Sequence, residues 1–145
     1  MTTTPQAPVI FPHCVWSDQY SVGIVRLDDQ HRKIFQMLNT LRQAMLDKKS
    51  DQVLAGIVND LVQYAKTHFA SEEAYFQMYA YPERDAHKQE HEEFTRKVRQ
   101  FQEDLAKGRA TLTLDVLKFL SDWVKNHVLG SDKKYGPYLN AKGVK

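Results

Sequence analysis

HFASEEAYFQMYAYPERDAHKQEH, residues 68–91, decides how the rest of the chain is read. It places His68 and Glu72 four residues apart, then Pro82, then His87 and His91 four residues apart. Residues four apart on a helix stack one above the other, with Cβ atoms about 5–6 Å apart, so each pair can aim two donor groups at one point. Pro82 stops one helix and opens the next, and two helices joined by a tight turn run antiparallel, which brings the two pairs into one core. Imidazole with carboxylate is a donor set for iron, zinc or manganese, whereas all-oxygen sets take magnesium or calcium and all-thiolate sets take zinc or iron–sulfur clusters. The stretch predicts a metal site inside a helical bundle.

On its N-terminal side, Ser50 is a natural cap for a helix whose face reads Leu54, Ile57, Val58, Leu61, Ala65, His68, Glu72 and Phe76, ending about Tyr79. A carboxylate on that stripe is costly unless it is paired or bound to a metal, so Glu72 argues for a cation more strongly than any histidine. Glu73 reads as its solvated neighbour. On the C-terminal side, His87, His91, Phe94, Val98, Phe101 and Leu105 form the next face, closed by Gly108. Before these, Asp28 and Asp29 suit the start of a helix carrying His31, Ile34, Phe35, Leu38, Leu41 and Met45. After them, Thr111 or Thr113 caps a helix with Val116, Leu120, Trp123 and His127 on one face, ending near Gly130 with Asp132 just beyond. Tyr135, Pro137, Tyr138 and Leu139 form a short C-terminal cover.

These elements predict an all-α, up-down-up-down antiparallel four-helix bundle. The expected organisation is an extended N-terminal arm over residues 1–15, with Pro5, Pro8 and Pro12, a helical domain over 16–139, and a tail over 140–145. At 145 residues the chain can bury one sizeable core. Basic and acidic side chains alternate along the helices behind a net charge of +2, which gives no support to nucleic-acid binding. No apolar run approaches the roughly 20 residues of a membrane span, and the N-terminus lacks a secretory pattern, so a cytoplasmic protein is expected. A single cysteine, Cys14, rules out an internal disulfide. With His13 it reads as structural.

The donors on the four faces are His31, His68, Glu72, His87, His91, His127 and Asp132. Seven exceed the four of a tetrahedral zinc site and suit two metals about 3.5–4 Å apart with the carboxylates bridging. Ferritin-like di-iron bundles use glutamates with Glu-x-x-His motifs, and this chain has no Glu-x-x-His. Its set is richer in nitrogen.

WSDQYSVGI (16–24), His31, HFASE (68–72), HKQEH (87–91) and HVLGSD (127–132) together resemble a hemerythrin of the bacterial kind, from about Trp16 to Leu139. The resemblance implies reversible O2 binding at two non-heme irons bridged by Glu72, Asp132 and an oxo or hydroxo group. It gives His87, His91 and His127 to one iron and His31 with His68 to the other, which keeps a position open for O2. By motif position Phe69, Trp123 and Leu129 resemble the apolar wall of the O2 pocket. No catalytic residue is expected, so a carrier, storage or delivery protein is favoured over an enzyme. It is expected to be a monomer, with an O2-consuming enzyme as the recipient the resemblance allows. The other classes are an O2 or redox sensor, which calls for a linked output segment, and a di-iron enzyme acting on peroxide or nitric oxide, which calls for a channel with a proton donor.

Overall fold

The computed structural model describes residues 14–108 and 114–145. The arm up to His13 and the caps expected at Thr111 or Thr113 lie outside the described residues. Helices α1 (Val25–Leu46), α2 (Asp51–Met78), α3 (Arg84–Ala106) and α4 (Leu114–His127) form the four-helix bundle. α1 lies against α2 and α4, and α2 lies against α3. A 3₁₀ turn at Asp18–Tyr20 precedes the bundle.

Local chemistry explains most of the boundaries. Ser50 caps α2, its Oγ accepting from Val53 N at 3.3 Å. α2 ends with Ala80 in the left-handed region at φ 51° and Tyr81 N donating to Phe76 O at 2.9 Å, which turns the chain ahead of Pro82. α1 begins three residues before the aspartates expected to open it. The reason is that Asp28 reaches backwards. Its carboxylate accepts from Val22 N at 2.8 Å and from Ser21 Oγ at 2.6 Å, so it fastens the preceding segment to the first turn instead of capping a helix that starts after it.

The largest departure from expectation is at Gly130. The fourth helix does not end there; it widens into a π turn at Val128–Asp132 and continues as α5, Lys133–Ala141. Gly130 has ordinary negative φ and nothing within 4 Å of where a Cβ would stand, so it imposes no break.

Among the described residues, two apolar clusters fill the interior. One contains Phe35, Leu38, Val58, Leu61, Phe94, Leu120 and Val128; the other contains Leu27, Phe76, Tyr81, Tyr135 and Leu139. Each candidate donor stands in sequence between members of the two, as His31 does between Leu27 and Phe35 and Glu72 between Phe69 and Phe76. The donors make a polar layer sandwiched between apolar ones. Cys14 belongs to the first cluster, with Asn39 holding its backbone from both sides: Cys14 N donates to Asn39 Oδ1 at 3.0 Å and Asn39 Nδ2 donates to Cys14 O at 2.5 Å.

α5 approaches the Val22 backbone so closely that only glycine fits at position 136, where a Cβ would stand 2.4 Å from Val22 O. Gly136→Ala should therefore destabilise the fold by about 1–3 kcal/mol, through a forced backbone shift next to Tyr135. Gly56→Ala, inside α2 with nothing within 4 Å of the added Cβ, should stabilise it by about 0.5–1 kcal/mol. Urea denaturation of the two variants beside the parent chain checks the opposite signs.

Candidate metal centre

The π turn builds the last corner of the site. His127 and Asp132 are five residues apart, which on an α-helix would turn them about 140° from each other. A turn closed from i to i+5 brings residues at that spacing back to one face. Both side chains are buried, with Asp132 Oδ1 3.1 Å from His127 Nε2. α1 supplies His31, α2 supplies His68 and Glu72, and α3 supplies His87 and His91, all buried.

The seven donors fall into two groups. Glu72, His87, His91, His127 and Asp132 offer ligand atoms within 4.8 Å of one another, and so do His31, His68, Glu72 and Asp132. Both carboxylates belong to both groups. Asp132 divides cleanly between them, with Oδ1 3.0 Å from His87 Nε2 and Oδ2 3.0 Å from His31 Nε2. Glu72 Oε1 lies 3.1 Å from His91 Nε2 and 3.4 Å from His68 Nε2, while Oε2 lies 3.6 Å from His31 Nε2.

These atoms converge without satisfying one another. His31 Nε2, His87 Nε2, Glu72 Oε1 and both Asp132 oxygens are shielded from solvent and make no aligned hydrogen bond. Buried polar atoms are normally paired, and a cluster of orphans aimed at common points is what cation coordination requires. His91 Nε2 and His127 Nε2 also face each other at 3.1 Å. The outer nitrogens of both rings have carboxylates beside them, Glu73 Oε2 at 3.5 Å from His91 Nδ1 and Glu90 Oε2 at 3.1 Å from His127 Nδ1. Neither contact is an aligned hydrogen bond, but a carboxylate charge at these distances favours the tautomer with the proton on Nδ1. Both inward lone pairs are then left for a shared cation. The residues present fit two metals.

Electrostatics point the same way. Burial opposes charge on His31 and His87, yet Asp132 and Glu72 outweigh it and push these imidazoles up to about 10 and about 9. Burial likewise opposes charge on His91, and Glu72 and Glu73 outweigh it to raise its pKa. For His68 burial wins over Glu72 and lowers it. Glu72 and Asp132 are depressed despite full burial, held by the surrounding histidines. Without metal, protons on imidazoles balance the two buried carboxylates.

Several contacts around the donors are not legible in the sequence. Tyr135, fully buried, donates its hydroxyl to Glu72 Oε2. Burial, with the nearby Glu72 and Asp132, raises that phenol well above its ordinary value. Gln30 Oε1 sits 2.6 Å from His68 Nδ1. Glu73 is no plain solvated neighbour, since it reaches His91. A His-x4-Asp spacing with an intervening glycine was the available signal for the π turn. Nothing in a single sequence marks Glu90.

Beside the cluster lies a cavity of about 20 Å³, lined by His31, His68, His127 and Asp132 at one end and otherwise by apolar side chains. Phe69 and Trp123 line it. Leu129 does not. It is 40% exposed, because the π turn rotates position 129 outward and puts Val128 on the cavity, one turn beyond Val124.

The chain matches the hemerythrin HHE cation binding domain over residues 22–139. It is 32% identical to a protein named bacteriohemerythrin from Clostridium acetobutylicum, across 83% of this chain and 97% of that one. A bacteriohemerythrin from Methylococcus capsulatus is also 32% identical, across 85% and 93%. A crystal structure of wild-type hemerythrin superposes with a TM-score of 0.80 at 31% identity, covering 85% of this chain and 95% of that one.

The proton balance predicts how the metal-free fold responds to pH. His31 and His87 bind protons more tightly folded than unfolded, so their contribution is complete below about pH 6.5 and is lost as pH rises through about 9 to about 10. Glu72 and Asp132 act with the opposite sign, and their contribution is lost as pH falls below the ordinary carboxylate range. The urea midpoint of the metal-free protein should peak at roughly pH 5–6.5 and fall towards pH 10, and a divalent metal that replaces the protons should flatten the alkaline limb. A midpoint unchanged up to pH 10 without metal would contradict this balance.

Proposed function

The chain belongs to the hemerythrin family, and from that premise we propose that it binds O2 reversibly at a pair of non-heme irons, as a carrier or store. His87, His91 and His127 would hold one ion and His31 with His68 the other, with Glu72 and Asp132 shared. The observation that carries the reading is the pair of donor groups sharing both carboxylates beside a cavity of molecular size. Bound iron would supply the reversible redox chemistry that O2 capture needs.

The chain's own residues govern the rest. Two carboxylates against five neutral imidazoles give the site a fixed charge of about −2, which offsets part of the charge of two cations in a core that water cannot reach. The cavity is bordered by both histidines of the two-histidine group, His31 and His68, but by only His127 of the other three, so a small ligand reaches the pair chiefly from the two-histidine side. A volume of about 20 Å³ exceeds what one water needs, but with metals taking up the donors at its polar end, a water there would meet few partners on walls made by Phe69, Trp123, Val124 and Val128. Such a pocket favours an apolar diatomic over water. Tyr135 holds Glu72 through its hydroxyl and is thereby committed to orienting a shared carboxylate.

The test combines iron analysis with the absorption change when the reduced protein meets air. Two irons per chain, a change that reverses under vacuum and little consumption of added reductant are expected. Continuous turnover of reductant or peroxide would instead make the protein an enzyme. His91→Ala should lower iron content and thermal stability together, since metal binding at a formed site contributes to folding. Val124→Ser should keep two irons but make the air-induced change decay faster and reverse less completely, because the hydroxyl gives water a partner in the cavity.

A further inference from the structure

The outer faces of the histidines are not treated alike. On the three-histidine side His127 and His91 each have a carboxylate near Nδ1, at 3.1 Å from Glu90 and 3.5 Å from Glu73. On the other side His68 meets a neutral amide oxygen of Gln30 at 2.6 Å; His31 Nδ1, like His91 Nδ1, makes no aligned hydrogen bond, and unlike His91 Nδ1 it has no carboxylate beside it among the described residues. A carboxylate behind a ligating imidazole fixes its tautomer and raises its basicity; an amide fixes the tautomer without adding charge.

Glu90 is the least expected of these groups. It stands on α3 beside His91 but reaches across to α4, and although its side chain is 46% exposed its Oε2 is shielded from solvent and makes no aligned hydrogen bond, so what it brings to His127 Nδ1 is a negative charge at 3.1 Å. An exposed ion pair on a helix surface contributes little. This one ends on a ring that is 5% exposed and points the other way into the donor cluster.

We propose that Glu90 is a positioning residue: it holds His127 with Nδ1 protonated and Nε2 presented inward, and with Glu73 it makes the three-histidine position the tighter of the two for a divalent ion. This rests on the reading of the site as a metal pair. It adds that the two positions are unequal, for a reason outside the ligand set.

Cobalt(II) titrated into the metal-free full-length protein, followed by absorption, separates the two ideas without iron or O2. The wild type should take two ions in a tight and a weaker step; uptake of fewer than two would overturn the paired-metal reading and this proposal with it. Glu90→Ala should weaken the tight step about 10–100-fold and leave the weaker one. In proton NMR of the cobalt-loaded protein, one exchangeable, paramagnetically shifted ring N–H signal should disappear in that variant. Glu90→Gln is close in shape and offers the same kind of acceptor, so it should restore the signal and part of the affinity. A Glu90→Ala protein that takes two ions with wild-type affinities and keeps every such signal would overturn the proposal. So would a folded Glu90→Gln protein that restores neither.

Discussion

Two carboxylates in the dry middle of a helical bundle are the constraint on which this structure depends. Burying a lone carboxylate costs several kcal/mol even after relaxation, roughly the whole margin by which a domain is stable. Glu72 and Asp132 are both fully buried, and among the described residues no lysine or arginine is buried with them. Their balance comes from five imidazoles, a group able to carry protons without metal or to give lone pairs to one. The same layer can therefore fold either way, and the apolar clusters above and below it keep water from resolving the problem in a third.

The geometry follows from getting all seven groups to one level of the bundle. Three helices do this with ordinary helical spacing. The fourth needs the π turn at Val128–Asp132, which carries Asp132 back to the face of His127 and, by the same rotation, sends Leu129 outward and Val128 inward. α5 then continues along the bundle and delivers Tyr135 to Glu72, and its close approach at Gly136 fixes where that hydroxyl lies. Site and fold meet in one irregular turn.

Residues 68–91 disclosed much of this, because spacing of four on amphipathic faces is a direct record of side-chain direction. The bundle and the donors of α1, α2 and α3 were legible for that reason. The pocket wall at 129 and the end of the fourth helix were not, since both depend on a change of helical pitch that periodicity of 3.6 does not encode. The outer partners were hidden differently. Glu73, Glu90 and Gln30 look like surface residues in a linear chain, and they touch the histidines only through packing between helices. Asp28 was seen as a helix opener but turned the other way, because a cap can reach back to Val22 as easily as forward.

The central claim is that two irons share Glu72 and Asp132. Anomalous diffraction at the iron edge, from crystals of protein loaded with iron during expression, tests it most directly. The account predicts two peaks about 3.5–4 Å apart, one among His87, His91 and His127 and one beside His31 and His68. A single peak, or scattering only at the zinc edge, would contradict it.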